Sequence, residues 1–224
     1  MSQAQEAQTR RVKVWDGATR AFHWLLVFLL GFSWLSAEKG WMEWHFRSGY
    51  AIGVLILFRL AWGFVGSETA RFSHFLASPF AALRHLLHLT RREPDAQVGH
   101  NAAGGYMVLV LLGLVAAQVV TGLAANDDVS LEGPLARHVG KDVSDSMTSW
   151  HFLIFKLIQA AVVLHLLAIV TYLVVKRHNL VHPMLHGHKH LPIDTEAPRL
   201  AHPVRAWVVF LIAAGVMWWV ATRL

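Results

Sequence analysis

Residues 150–175, WHFLIFKLIQAAVVLHLLAIVTYLVV, form an apolar run that contains two histidines, His151 and His165. In an α-helix each residue turns by about 100° and rises by about 1.5 Å, so a step of 14 residues returns to the same face within about 40° and climbs about 21 Å. The hydrocarbon core of a bilayer is about 30 Å thick. The spacing therefore predicts one membrane helix that carries an imidazole near each side of the bilayer.

The whole chain has the composition of a membrane protein. Hydrophobic residues make up 55% of it, charged residues 15%, and the mean hydropathy is +0.42, whereas soluble domains contain about 25% charged residues. Several tryptophans lie near the ends of apolar runs, where amphipathic rings favour the headgroup layer: Trp15, Trp41, Trp44, Trp150, Trp218 and Trp219.

Cysteine is absent from the chain. This excludes structural disulfides, thiolate-ligated iron–sulfur clusters and the C-x-x-C-H attachment of a c-type haem, so a haem here would depend on histidine or methionine ligands. Residues 1–20 are polar and basic, and no small-residue cleavage site follows the first apolar run. We therefore expect the first span to be permanent rather than a cleaved signal.

Five segments are long and apolar enough to cross a bilayer, some of them with tilt. They are residues 21–37, 41–66, 99–125, 149–175 and 206–222. The prediction is an all-α integral membrane protein, with a four-helix bundle followed by a peripheral fifth transmembrane helix in residues 203–224. The stretch 181–202 is predicted to be a His-rich cytoplasmic linker, with His186, His188 and His190 solvated rather than bound to a metal.

Lysine and arginine are distributed unequally between the predicted connections. With the N-terminus inside, the inner segments carry 13 of these residues and the outer segments carry 5. This asymmetry predicts a cytoplasmic N-terminus and places the acidic stretch 127–145 outside. The net charge of +6 is then a topology signal and gives no reason to expect a nucleic-acid partner. One inner connection, residues 78–92, is predicted to lie in the membrane interface as an amphipathic helix.

The membrane histidines fall at two depths. His45 and His151 lie at the outer ends of the second and fourth spans, His23 and His165 lie at the inner level, and His100 begins the third span on the inner side. A single intramembrane histidine could be a packing residue. Four that form two matched pairs favour two bis-histidine haems, stacked across the membrane.

Bis-histidine ligation has a definite chemical consequence. Two axial nitrogens fill both open positions on the iron, so such a haem passes electrons and leaves no position for a substrate. A bulky macrocycle needs helix faces without large side chains beside it, and glycines provide such faces. Close packing between membrane helices also uses glycines. The glycines in question are Gly31, Gly49, Gly53, Gly104, Gly105 and Gly113. A histidine-rich metal transporter without haem remains an alternative at this point.

Several separated blocks of sequence resemble one family. They are VWDGATRAFHW (14–24), WHFRSGYAIG (44–53), RLAWGFVGS (59–67) and GHNAAGGY (99–106), together with the two histidines of the fourth span. They are similar to the bacterial di-haem cytochrome b561 family, and most similar to the b-type cytochrome subunits of nickel–iron hydrogenases and their stand-alone relatives. The resemblance covers about residues 12–185 and implies a four-helix di-haem domain in residues 1–180.

The resemblance also implies ligands, location and partners. It assigns His23 and His165 to a cytoplasmic-side haem b, and His45 and His151 to a periplasmic-side haem b, in a bacterial inner membrane. Electrons would pass between a membrane quinone and a periplasmic redox protein, either a cytochrome c or a hydrogenase. The acidic outer loop, residues 126–149, could dock this protein or could be a solubilising connection. Some stand-alone relatives imply an alternative, a superoxide oxidase that reduces quinone.

Four further polar residues lie near the predicted haems. Arg59 follows His45 by 14 residues, so it shares that helix face at the inner level. Its charge would pair with a haem propionate or snorkel to the headgroups. His100 is a candidate contact for a propionate or a quinone, Arg20 is a similar candidate or a membrane anchor, and Lys156 is expected to snorkel.

Overall fold

The computed structural model describes residues 9–87, 97–129 and 131–223. Its elements in chain order are β1 Thr9–Lys13, α1 Gly17–Glu38, α2 Met42–Val65, α3 Phe72–Phe75, α4 Pro79–Leu87, α5 Ala102–Ala124, α6 Ala136–Val139, α7 Lys141–Thr171, α8 Val181–His186, β2 His188–Pro192 and α9 Pro203–Arg223. A 3₁₀ turn, Glu68–Ala70, follows α2, and a π-helical turn, Tyr172–Lys176, continues α7.

Five helices, α1, α2, α5, α7 and α9, are long and apolar enough to cross a membrane. They correspond one for one to the predicted spans, so the prediction of an all-α integral membrane bundle is confirmed. Helix α1 begins four residues before the predicted span because Asp16 caps it, accepting hydrogen bonds from the amide and the hydroxyl of Thr19 at 2.6 and 2.9 Å.

Helix α2 lies at the centre of the bundle. Half of the residues in its apolar segment are buried inside the protein, whereas 17–22% are buried in the apolar segments of the other four spans. It packs against α1, α5 and α9, and α5 packs separately along α7. Its side chains Ile52, Leu55, Ile56, Phe58 and Trp62 form much of the buried core. The outward faces of the other spans expose large apolar side chains, as expected for helices in contact with lipid.

The fifth long helix, α9, lies along α2. At the contact, Met217 of α9 is buried and its sulfur would lie 2.6 Å from a Cβ on Gly53. The absence of a side chain at Gly53 therefore lets the two helices approach closely.

Residues 181–202, predicted to be a linker, contain regular structure. Helix α8 is followed by β2, which pairs antiparallel with β1 so that Lys13 lies opposite His188. We call β1, α8 and β2 together the cap. Its small core of Val12, Val14, Trp15 and Leu191 is buried. The sequence analysis missed this pairing because its two strands have only five residues each and lie 175 residues apart along the chain.

Two other predicted segments can be compared with the structure. Helix α4 covers residues 79–87 of the predicted interfacial helix, and Phe80, Leu83 and Leu87 are exposed on it; residues 88–92 lie outside the described residues. In the parts of the chain that the structure describes, no three His, Asp or Glu side chains form a group able to hold a metal ion, and this includes the His-rich segment.

Candidate functional site

His45 of α2 and His151 of α7 lie together at one level of the bundle. After the predicted topology, we call this the outer level and the level of His23 and His165 the inner level. Their ring centroids are 6.1 Å apart and the ring planes lie at 86° to each other. Two imidazoles on opposite sides of one metal ion need two nitrogen–metal bonds of about 2 Å and two ring radii of about 1 Å, or about 6 Å in all. The observed separation fits that arrangement.

Main-chain carbonyls orient both rings. The Nδ1 of His45 donates to the carbonyl oxygen of Ser33 at 2.9 Å, and the Nδ1 of His151 donates to that of Gln118 at 3.0 Å. A carbonyl can only accept, so Nδ1 carries the proton and Nε2 keeps the lone pair in both rings. This is the tautomer that a metal-binding histidine uses when its second nitrogen is held by the protein.

Hydroxyl groups reinforce both contacts. The Oγ of Ser33 lies 3.2 Å from the Nδ1 of His45, and the Oγ1 of Thr121 lies 3.2 Å from the Nδ1 of His151. Because the Thr121 hydroxyl itself donates to the carbonyl of Ala117 at 2.8 Å, its oxygen lone pairs are available to the imidazole N–H.

A cavity of about 390 Å³ contains both imidazoles and is bounded by α1, α2, α5 and α7. Its walls are mainly apolar and aromatic: Trp34, Phe46, Tyr50, Val115, Phe152, Phe155 and Ile158. One turn after His45, a Cβ on Gly49 would meet nothing within 4 Å, so space continues along this face of α2. An apolar slot with two imidazoles on its walls fits a flat iron porphyrin.

Helix α5 supplies no histidine to this cavity but shapes it. The side-chain nitrogen of Gln118 lies 3.0 Å from the Nε2 of His151, and its Oε1 is buried with no hydrogen-bond partner among the described residues. The sequence analysis missed Ser33, Gln118, Thr121 and Gly122. The sequence does indicate two of them as a polar pair: Gln118 and Thr121 are three residues apart on an uncharged helix and therefore share a face.

The inner level gathers a second group of residues. His23 of α1 and His165 of α7 lie close enough for their charges to interact, and both lie within electrostatic range of His100. The Nδ1 of His23 is buried and has no hydrogen-bond partner among the described residues. The structure thus places the ring of His45 beside that of His151, and places His23 within electrostatic range of His165.

His100 precedes α5 and packs between two aromatic rings. Its centroid lies 4.7 Å from that of Trp15 and 4.9 Å from that of Phe75. Burial lowers the pKa of His100 to about 3, and the nearby charge of Arg59 acts in the same direction. His100 is therefore a neutral imidazole near pH 7. Its Nδ1 is buried and has no partner within the described part of the chain.

Arg59 is a buried cation at the same level. It is only 2% exposed, its guanidinium carbon lies 5.2 Å from the ring centroid of Phe72, and its Nη1 has no hydrogen-bond partner among the described residues. Asp16 lies within electrostatic range. The side chain does not reach the surface as a snorkelling arginine would, so a buried anion such as a haem propionate would satisfy its remaining N–H groups.

The other two predicted cations make different contacts. Arg20 uses its Nη1 to donate to the carbonyl oxygen of Leu185 at 2.6 Å, and Trp24 donates to the carbonyl oxygen of Met184 at 3.1 Å. These bonds attach the cap to the first turns of α1. Lys156 is exposed on α7, as expected for a snorkelling lysine.

Five helices long and apolar enough to span a membrane, with histidines inside the bundle, define a multi-pass α-helical membrane protein. The family model described as prokaryotic cytochrome b561 matches residues 14–187, and the chain belongs to this family. The resemblance found in the sequence is therefore confirmed. No curated protein and no solved structure matched the chain. Proteins of this family transfer electrons in membranes by means of b-type haem, which the apolar slot and the imidazoles of the outer level fit.

Proposed function

We propose that this protein holds two haems b and transfers electrons across a bacterial inner membrane between a periplasmic redox protein and the quinone pool. The observation that carries the proposal is on α7. This single helix carries His151 beside His45 at one level, and carries His165 within electrostatic range of His23 at the other. One rigid helix would thus fix the distance between the two cofactors.

In this proposal His45 and His151 hold the outer haem, and His23 and His165 hold the inner one. A haem b bound through two imidazoles supplies one-electron transfer and has no open coordination position. The protein supplies the orientation of the ligands and the environment of the haem. Carbonyl groups of α1 and α5 hold the outer imidazoles in the required tautomer, and the mainly apolar walls would surround the macrocycle.

The inner level supplies polar contacts for a propionate and for a quinone. Arg59 is the proposed partner of an inner haem propionate, because its buried Nη1 needs an acceptor. His100 is the proposed quinone contact, since a neutral imidazole can donate a hydrogen bond to a quinone carbonyl. Asn101 is less suited, because its amide already donates to the Tyr172 hydroxyl at 2.7 Å and accepts from the Gly104 amide at 2.7 Å.

The acidic loop beyond α5 is the proposed docking surface for the periplasmic partner, either a cytochrome c or a hydrogenase-type protein. Asn126 holds this loop onto α7 by donating to Ser144 at 2.7 Å and to Asp145 at 2.8 Å. Lys141 pairs with Asp128 and Asp145, so part of the acidic charge is neutralised within the loop itself. The N-terminus and the cap would then lie in the cytoplasm, on the basic side of the protein.

Superoxide oxidation at the outer haem is the second candidate from the sequence. The outer cavity is lined by the carboxylate residues Glu38 and Asp127. Their negative charge would repel a superoxide anion and would attract a basic protein surface. The lining therefore favours the protein partner.

The test is haem stoichiometry followed by quinone reactivity. Protein purified from membranes grown with sufficient haem should contain two haems b per chain, with reduced-minus-oxidised spectra of low-spin b-type haem. Addition of a quinone to the reduced protein should oxidise it. A content of one haem per chain, or none, would contradict the proposal. Superoxide loss that accelerates in the presence of quinone would favour the second candidate.

A further inference from the structure

The two histidine levels differ in their hydrogen bonds and in their charges, and this difference bears on the direction of electron flow. We infer that the inner haem has the higher midpoint potential, so that electrons entering at the periplasmic side run downhill toward the cytoplasmic side. This inference rests on the proposed two-haem function, which leaves the direction open.

At the outer level both axial imidazoles donate strong Nδ1 hydrogen bonds. The acceptors are the carbonyl oxygens of Ser33 and Gln118, at 2.9 and 3.0 Å, and each contact is backed by a hydroxyl at 3.2 Å. A hydrogen bond from the distal nitrogen makes an imidazole a more basic ligand. A more basic ligand stabilises ferric iron more than ferrous iron, which lowers the midpoint potential of the outer haem.

At the inner level, one of the two proposed axial imidazoles lacks this support. The Nδ1 of His23 is buried and has no hydrogen-bond partner among the described residues. Its imidazole is therefore a less basic ligand than either outer histidine. By the same argument, this raises the potential of the inner haem relative to the outer one.

The charges act in the same direction. Arg59 is a buried cation at the inner level, and buried charges are poorly screened by solvent and salt. A fixed positive charge favours the reduced haem, which carries one positive charge fewer than the oxidised haem. Asp16 offsets part of this effect. At the outer level the carboxylate residues Glu38 and Asp127 line the cavity and favour the oxidised haem.

The consequence is a built-in bias toward inward electron transfer. In an energised cell the cytoplasm is negative, so an electron that moves inward works against the membrane potential. A higher potential at the inner haem offsets this work. The arrangement suits delivery from a periplasmic donor to a quinone near His100, and it opposes the reverse flow.

The experiment is an equilibrium redox titration of the purified two-haem protein, followed by absorbance. We expect two one-electron steps separated by at least a tenfold difference in equilibrium constant, which is about 59 mV. In His45→Ala the outer haem should be lost, and the surviving haem should titrate at the higher of the two native potentials.

Conservative variants test whether the hydrogen bonds and the buried charge cause the difference in midpoint potential. Thr121→Val removes the hydroxyl beside His151 and should raise only the lower potential. Arg59→Gln should lower only the higher potential, whereas Arg59→Lys keeps the charge and should largely restore it. Matched controls are Thr222→Val, which removes an exposed hydroxyl bonded to the Trp218 carbonyl, and Arg47→Gln on the exposed outer turn of α2. Thr222→Val should move neither potential, and Arg47→Gln, which removes a charge at the outer level, should leave the higher potential unchanged.

The possible results separate the two proposals. If two haems are present but the haem that survives in His45→Ala titrates at the lower potential, the inference is wrong and the proposed function stands. Coincident potentials, or an Arg59→Gln variant that leaves both steps unchanged, would also overturn the inference. A preparation that holds fewer than two haems per chain would contradict the proposed function itself.

Discussion

Gly122 of α5 lies directly against the imidazole of His151. A Cβ on Gly122 would come within 2.8 Å of the Cε1 and 3.2 Å of the Nδ1 of that ring. The close approach allows the His151 ring to reach the Gln118 carbonyl, so the glycine determines the position of a proposed axial ligand that lies on a different helix.

Gly122→Ala should displace His151 and weaken the retention of the outer haem. The ring is held by the carbonyl of Gln118, so it cannot move away without losing that bond; overpacking of this kind costs about 1–3 kcal/mol. Haem content per chain after purification in detergent measures the effect. Gly215→Ala is the matched control, because a Cβ there meets nothing within 4 Å. Full retention of two haems in Gly122→Ala would contradict the prediction.

Removal of one ligand from each level should remove one haem from each level. His151→Ala should lose the outer haem and His165→Ala the inner one, each leaving the other partly occupied, because the two pairs use separate imidazoles at separate depths. Pyridine haemochrome assays and reduced spectra report both losses. The double variant His186→Ala with His188→Ala, in and beside the cap helix α8, should keep both haems. If both single variants bind two haems normally, the ligand assignment is wrong.

Leu191→Ala should loosen the cap. Leu191 is fully buried in the small core that joins β1 to β2, and truncation of a buried leucine to alanine costs about 2–5 kcal/mol. The substitution should destabilise the cap and not the membrane helices. Limited proteolysis between α7 and α9 should therefore become faster, while the haem content should stay the same. Ile193→Ala, an exposed position just beyond β2, is the control. Equal cleavage rates in the two variants would show that the cap does not depend on this core.

Protonation of His100 should make stability depend on pH in mildly acidic solution. Burial lowers its pKa to about 3 from 6.5, so between these values the unfolded chain binds a proton that the folded protein does not. Stability should therefore rise with pH from about 3 to about 6.5, with a slope of at most about 1.4 kcal/mol per pH unit from this group.

His100→Phe isolates this contribution. The substitution keeps an aromatic ring between Trp15 and Phe75 but removes the titrating group. Melting temperatures measured between pH 4.5 and 7 should therefore vary less with pH in the variant than in the parent protein. An unchanged dependence would mean that His100 is already protonated in the folded protein.

The spans and their histidines could be predicted because they depend on local pattern. Apolar length fixes how many helices cross, and the step of 14 residues between His151 and His165 places them on one face of α7 whatever else packs against that helix. Arg59 was placed at the inner level by the same arithmetic. The sequence also predicted the span that forms α5, although it placed the start three residues too early: Asn101 is the N-cap and the helix begins at Ala102.

The groups that orient the outer ligands could not be predicted in this way. Ser33 and Gln118 act on His45 and His151 through main-chain carbonyls, which every residue possesses, so no residue type marks them. The cap was missed because β1 and β2 meet only after the chain has crossed the membrane several times. The sequence by itself determined the number of apolar spans and the family, and it predicted the depth of each histidine. Only the tertiary structure decided which helix holds each imidazole ring, because that depends on how closely two helices approach, and local periodicity carries no information about that distance.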